Sequence, residues 1–113
     1  MNKYFSRSEF ACKCGCGKDT VDYELLEILI RLRDFFDVPI YITSASRCII
    51  HNKSVGGRLN SYHIKSKAAD IVVKSIDSRI VYDTLDRWYP DKFGLGSYPD
   101  FTHVDVRKLK RRW

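Results

Sequence analysis

No segment of this 113-residue chain approaches the length of apolar sequence that a membrane span needs. The first ten residues, Met1 to Phe10, are polar and lack the apolar stretch of a secretory signal. From these two absences the chain is expected to be made in a cytoplasm, so a substrate outside the cell would require some other route of release. The sequence also lacks internal repeats, low-complexity tracts and long insertions, and its length allows one core, hence one domain over residues 1–113. Histidine is scarce: only His51, His63 and His103.

What is present is globular in character. Apolar residues make up 44% and charged residues 30%, with both signs mixed, which excludes intrinsic disorder. The formal net charge of +6 favours polyanionic surroundings such as nucleic acid, an anionic membrane, or a wall rich in carboxylates and phosphates. Much of the excess sits at Arg107, Lys108, Lys110, Arg111 and Arg112. A charge run at a terminus is ordinarily a solvated one, so the tail is expected to be solvated and no nucleic-acid partner is expected. Four cysteines stand at 12, 14, 16 and 48. A thiolate metal site, one long-range disulfide and free thiols all remain open, because Cys-x-Cys is tighter than the usual knuckle spacing.

Apolar residues recur at helical spacing from Asp22, a plausible N-cap, to Phe36, and Val38-Pro39 ends that helix. Ile40–Thr43 reads as a strand, and residues 45–66 as a long polar loop with room for a short helical turn. Ala68–Val73 reads as a buried strand and Ser78–Trp88 as a second amphipathic helix. Gly94–Tyr98 and Thr102–Val106 read as two strands joined at Pro99-Asp100. The expected fold class is α+β, with helices packed on a small, mainly antiparallel sheet.

Asp70 lies inside the apolar strand, where a carboxylate is costly unless a cation or several donors compensate it. His63, seven positions earlier, is near enough to share such a cation. On this pair alone, a capped or salt-bridged Asp beside a surface His is the commoner arrangement. In Thr102–Val106 strand alternation puts His103, Asp105 and Arg107 on one face. A catalytic zinc needs three protein ligands and one free position, and His63, Asp70 and His103 supply a suitable three.

Ser61-x-His63-x6-Asp70 followed by Asp100-x-x-His103 resembles the zinc D-Ala-D-Ala carboxypeptidases and the related phage and bacterial peptidoglycan endopeptidases, which share the hedgehog/DD-peptidase fold. Further likenesses occur in the same order: Phe5–Cys12, Ser44-Ala45-Ser46-Arg47, His51-Asn52 with Val55-Gly56-Gly57, Gly94-x-Gly96-x-Tyr98 and His103–Arg107. The resemblance implies one catalytic Zn2+ on His63, Asp70 and His103, with Asp100 as the carboxylate that handles the proton. It implies that Arg47 stabilises the oxyanion, and that His51, Asn52 and Ser61 support the site or orient substrate. Asp105 is the rival base, ranked below Asp100. A second, structural zinc at Cys12, Cys14, Cys16 and Cys48 is the metal alternative for the thiols. Implied too are a peptidoglycan peptide substrate, a monomer without a membrane segment, and action on the cell wall after phage-type release. The alternative function is a zinc-containing binding module of the same fold without turnover. The chain departs from the pattern at Ala45-Ser46, where the family has Gly-Tyr, and at Ser66, where it has Gly. Glycine at the latter position implies a backbone angle that serine adopts at a cost.

Overall fold

Asp22 starts the first helix: its carboxylate accepts from the amides of Glu24 and Leu25, filling donors that the first helical turn leaves unpaired. In the computed structural model, which describes residues 4–58 and 61–113, helix α1 runs Tyr23–Phe36. It turns Leu25, Ile28, Leu29 and Leu32 inward and ends at Asp37, whose φ of 54° is left-handed. Strand β1, Ile40–Ser44, follows. The polar loop expected at 45–66 contains a short helix, α2, Ile49–Ser54; residues 59 and 60 of that loop lie outside the described residues. Strand β2 is Ala68–Val73 and helix α3 is Ser78–Trp88, both as the periodicity predicts. Strands β3, Gly94–Ser97, and β4, Thr102–Asp105, form the expected hairpin.

The sheet has the order β1-β2-β4-β3-β5. All its pairings are antiparallel except the last, which joins β3 in parallel to a two-residue strand, β5, Arg111–Arg112. The sheet is therefore mixed, within an α+β fold. One face carries Ile40, Ile42, Ala69, Ile71, Val73, Leu95 and Val104 into the core, where they meet α1, Val81 and Leu85 of α3, and the amino-terminal rings of Phe5 and Phe10. That contiguous burial is the main source of stability, at roughly 25 cal/mol per Å2 of apolar surface. No helix among the described residues is long and apolar enough to cross a membrane.

The opposite face is set by alternation. Asp70 pairs across the ladder with His103, Ala68 with Asp105, and Gly96 and Gly94 continue the same two rows. The two glycines give this face its room. A side chain at Gly94 would strike the Asp105 carboxylate and Arg107, and one at Gly96 would strike the Trp113 indole.

β5 corrects the expectation of a solvated tail. Arg112 bonds to Asp86 and to the carbonyls of Tyr89 and Phe93, while Trp113 returns over the sheet and exchanges backbone bonds with Leu95 and Ser97. Lys108, Lys110 and Arg111 are exposed, as a charged terminus should be.

Candidate metal centre

Asp70 and His103 sit opposite one another on β2 and β4, and the 45–66 loop brings His63 over them. His103 Nδ1 lies 2.9 Å from Asp70 Oδ1, and His63 Nε2 lies 3.4 Å from Asp70 Oδ2. The ligand atoms of all three residues fall within 4.8 Å of one another. In a tetrahedral zinc shell with bonds of about 2.0–2.2 Å, ligand atoms are about 3.3 Å apart, so this spacing suits the ion.

The outer nitrogens fix which atoms face inward. His63 Nδ1 lies 2.8 Å from the Ala45 carbonyl and donates to it, which leaves the Nε2 lone pair directed at the cluster. His103 Nε2 lies 2.8 Å from Asp105 Oδ2 and donates to it, so Nδ1 faces inward. Asp105 is wholly buried and is held in turn by Arg107, whose Nε and Nη2 reach its two oxygens at 2.7 and 2.8 Å. Arg107 is itself flanked by the rings of Tyr62 and Trp113. Sequence reading placed Arg107 on the correct face but missed its role. The signal was its position two residues after Asp105.

The electrostatics already mark the place of a cation. Burial would raise the Asp70 carboxyl, but hydrogen bonds from His103 and His63 hold it well below the usual carboxylate range. Asp105 is depressed in the same way by His103 and Arg107 against its burial. Burial disfavours a charged His103, yet Asp105 and Asp70 on its two nitrogens raise its pKa.

Arg47 joins this group from the start of the loop. Its Nη2 is 3.6 Å from Asp70 Oδ2, its Nε donates to Ser44, and its Nη1 donates to Asn52 Oδ1. Asn52, a buried residue of α2, is therefore a support for Arg47, and its own amide bonds to the Arg58 carbonyl. Ser61 accepts from the His63 amide and shapes the approach to that ligand. The ring of His51 has no hydrogen-bond or ion-pair partner among the described residues and is not part of the cluster. Asp100 is exposed at the β3–β4 turn, without a partner among the described residues, beside a shallow hollow shared with Asp77, Ser78 and Phe101. It is outside the group that converges on Asp70.

The two departures from the family pattern meet each other. Ser66 has φ 60°, the left-handed conformation glycine would favour, and its hydroxyl lies 3.1 Å from that of Ser46 and 2.5 Å from that of Thr20.

Cys12, Cys14, Cys16 and Cys48 also converge, with sulfurs within 4.8 Å of one another and none in a disulfide. Burial raises the Cys12 thiol, but the amides of Cys14 and Cys48 outweigh it and bring the group down to about 7.

The profile of the family described as Peptidase M15 matches residues 3–105. The chain belongs to the peptidase M15 family. That family, which includes the D-Ala-D-Ala carboxypeptidases, consists of zinc-dependent metallopeptidases, and the His63, Asp70 and His103 cluster has the donor set such an enzyme requires. Among curated proteins there is no match. As an M15 peptidase the chain acts on peptides, and its sheet provides two of the three side chains that could hold a metal ion.

Proposed function

We propose that this M15 peptidase hydrolyses peptide bonds in the D-amino-acid-containing stem peptides of peptidoglycan, as a carboxypeptidase or an endolysin-type endopeptidase. The observation that carries this reading is Arg47, fixed by Ser44 and Asn52 and directed at the same carboxylate as the two histidines. A preorganised cationic donor beside a metal site is what amide hydrolysis needs where negative charge develops. The net charge of +6 is matched to a wall rich in carboxylates and phosphates.

His63 Nε2, the Asp70 carboxylate and His103 Nδ1 are the atoms that would hold zinc. When bound, zinc acidifies water and polarises the scissile carbonyl. Arg47 donates to the carbonyl oxygen as it becomes anionic. Asp100 takes a proton from the attacking water and delivers it to the leaving amine nitrogen. Asp105 is unsuited to that task, since both its oxygens are occupied by His103 and Arg107; it keeps the Nε2 proton on His103 instead. Asp100 has no such partner among the described residues.

The test is incubation of purified peptidoglycan with zinc-loaded wild type and with zinc-loaded Asp100→Ala, with products identified by mass spectrometry. Peptides released by wild type alone support the reading, and their new termini identify the bond. Release by neither protein, with zinc bound to both, would leave a binding module of the same fold and overturn it.

A further inference from the structure

The amino-terminal segment folds into a knuckle around its cysteines. The Cys12 amide donates to the Lys18 carbonyl at 2.7 Å and the Gly15 amide donates to the Cys12 carbonyl at 3.2 Å. Gly15 and Gly17, with φ of 81° and 92°, make the reversals that turn Cys12, Cys14 and Cys16 toward one point. Cys48 reaches the same point from the end of the Arg47 loop. The Cys12–Cys14, Cys14–Cys48 and Cys12–Cys48 sulfur separations are 3.5, 3.6 and 3.9 Å. Four thiolates on a tetrahedral zinc with bonds of about 2.3 Å stand about 3.8 Å apart. Backbone amides are directed at the sulfurs as well: that of Cys48 at Cys12 Sγ, 3.4 Å, and that of His51 at Cys48 Sγ, 3.3 Å. Such N–H groups favour thiolate over thiol.

We propose that Cys12, Cys14, Cys16 and Cys48 bind a zinc ion of their own, in a closed tetrathiolate centre that staples the amino-terminal knuckle to the loop carrying Arg47. With four protein ligands the centre has no position for water, so its role is structural. Binding displaces the remaining thiol protons to solvent, and the two charges of the ion offset the mutual repulsion of the sulfurs. The staple reaches the first centre through short connections. Lys18 Nζ donates to the carbonyls of Arg47 and Ile64, the Ser46 amide donates to the Phe10 carbonyl, and the Arg47 amide donates to the His63 carbonyl. Zinc at the cysteines does not depend on the hydrolytic reading of the first centre.

The experiment measures zinc per chain in the full-length protein, purified with a reductant, for wild type, His63→Ala and Cys16→Ser. Two ions in wild type and one in each variant are expected. Cys16 is exposed, so without metal it is open to a thiol reagent; with the ion in place all four thiols react only after zinc is extracted. Should Cys16→Ser fail to fold, wild type in which Co(II) replaces zinc decides the matter. Intense sulfur-to-cobalt charge-transfer absorption that persists in His63→Ala supports the centre. A single ion lost on His63→Ala, immediate reaction of the thiols, or a disulfide in the native protein overturns it.

Discussion

His63, Asp70 and His103 rest on a framework that protein bonds complete, whereas the four cysteines face mainly one another. At the first centre each outer imidazole nitrogen has a carbonyl or carboxylate partner. Two of the ligands lie on adjacent strands whose ladder would hold them whatever else happened. At the cysteines the backbone is irregular, and Cys48 lies 36 residues from Cys12 in sequence. At the first centre only His63 comes from a loop, whereas all four thiols stand on irregular backbone or at the start of a short helix. The largest effects expected from this contrast are on activity at the first centre and on stability at the second.

His63→Ala should abolish peptide hydrolysis, since the metal's electrostatic work is several kcal/mol, or about a thousandfold or more in kcat/KM. The fold should survive, because β2 and β4 remain paired. Circular dichroism with steady-state kinetics on one preparation checks both halves. Loss of cooperative unfolding in this variant would show that the first centre is as structural as the second.

The next effect belongs to the cysteines. Selective zinc extraction or Cys16→Ser should lower the unfolding free energy by about 4 kcal/mol, as expected for removal of a ligand held about a thousandfold above its Kd. Thermal melts with and without added zinc measure it. Equal melting of both forms would erase the contrast between the two centres.

The parts of this architecture differ in how far they can be read from the sequence alone. Asp70 stands out because a carboxylate among Ala68, Ala69, Ile71, Val72 and Val73 needs an explanation, and periodicity places β2 and α3 at the correct residues. These signals are local. β5 has no such signal: two arginines show no alternation, and their pairing depends on Arg112 finding Asp86 and the carbonyls after α3. Asp105 lies between these cases. Strand alternation gives its face, but its role as the partner of His103 depends on Arg107 folding back onto it. The convergence of Cys48 with Cys12 is likewise a product of tertiary structure, because the loop that delivers it has almost no periodicity.

Asp105→Asn sharpens the comparison from the other side, by loosening a ligand without removing it. An amide can still accept from His103 Nε2, but without the charge that makes the ring a strong donor to metal. Zinc affinity should fall about 10- to 100-fold. In wild type, His103 has a raised pKa, so its proton competes with zinc and is lost as pH rises. Affinity, read by chelator competition from about pH 5 to about pH 8, should therefore increase with pH. In Asp105→Asn the proton is held less tightly, and the rise should begin at lower pH. An unshifted profile would remove Asp105 from the site's electrostatics. The sign for the metal-free protein is opposite: the raised His103 contributes stability that is full below its unfolded value and lost as pH rises through its folded one.

The smallest effect lies where the chain leaves the family pattern. Ser66 has φ 60°, a conformation that costs a non-glycine residue about 1–2 kcal/mol, and its hydroxyl meets Thr20 and Ser46. Ser66→Gly removes the strain but also gives up those contacts, worth about 1 kcal/mol each, and adds freedom to the unfolded chain. The losses outweigh the gain, and the unfolding free energy should fall by about 0.5–2 kcal/mol. Ser66→Ala loses the same contacts, the one to buried Ser46 included, but keeps the strain, so it should be the worse substitution by about 1 kcal/mol. Denaturant titration of the two variants gives the order directly. If alanine proved as good as glycine, the left-handed angle at 66 would carry no strain; if both matched wild type, the hydroxyl cluster would be incidental.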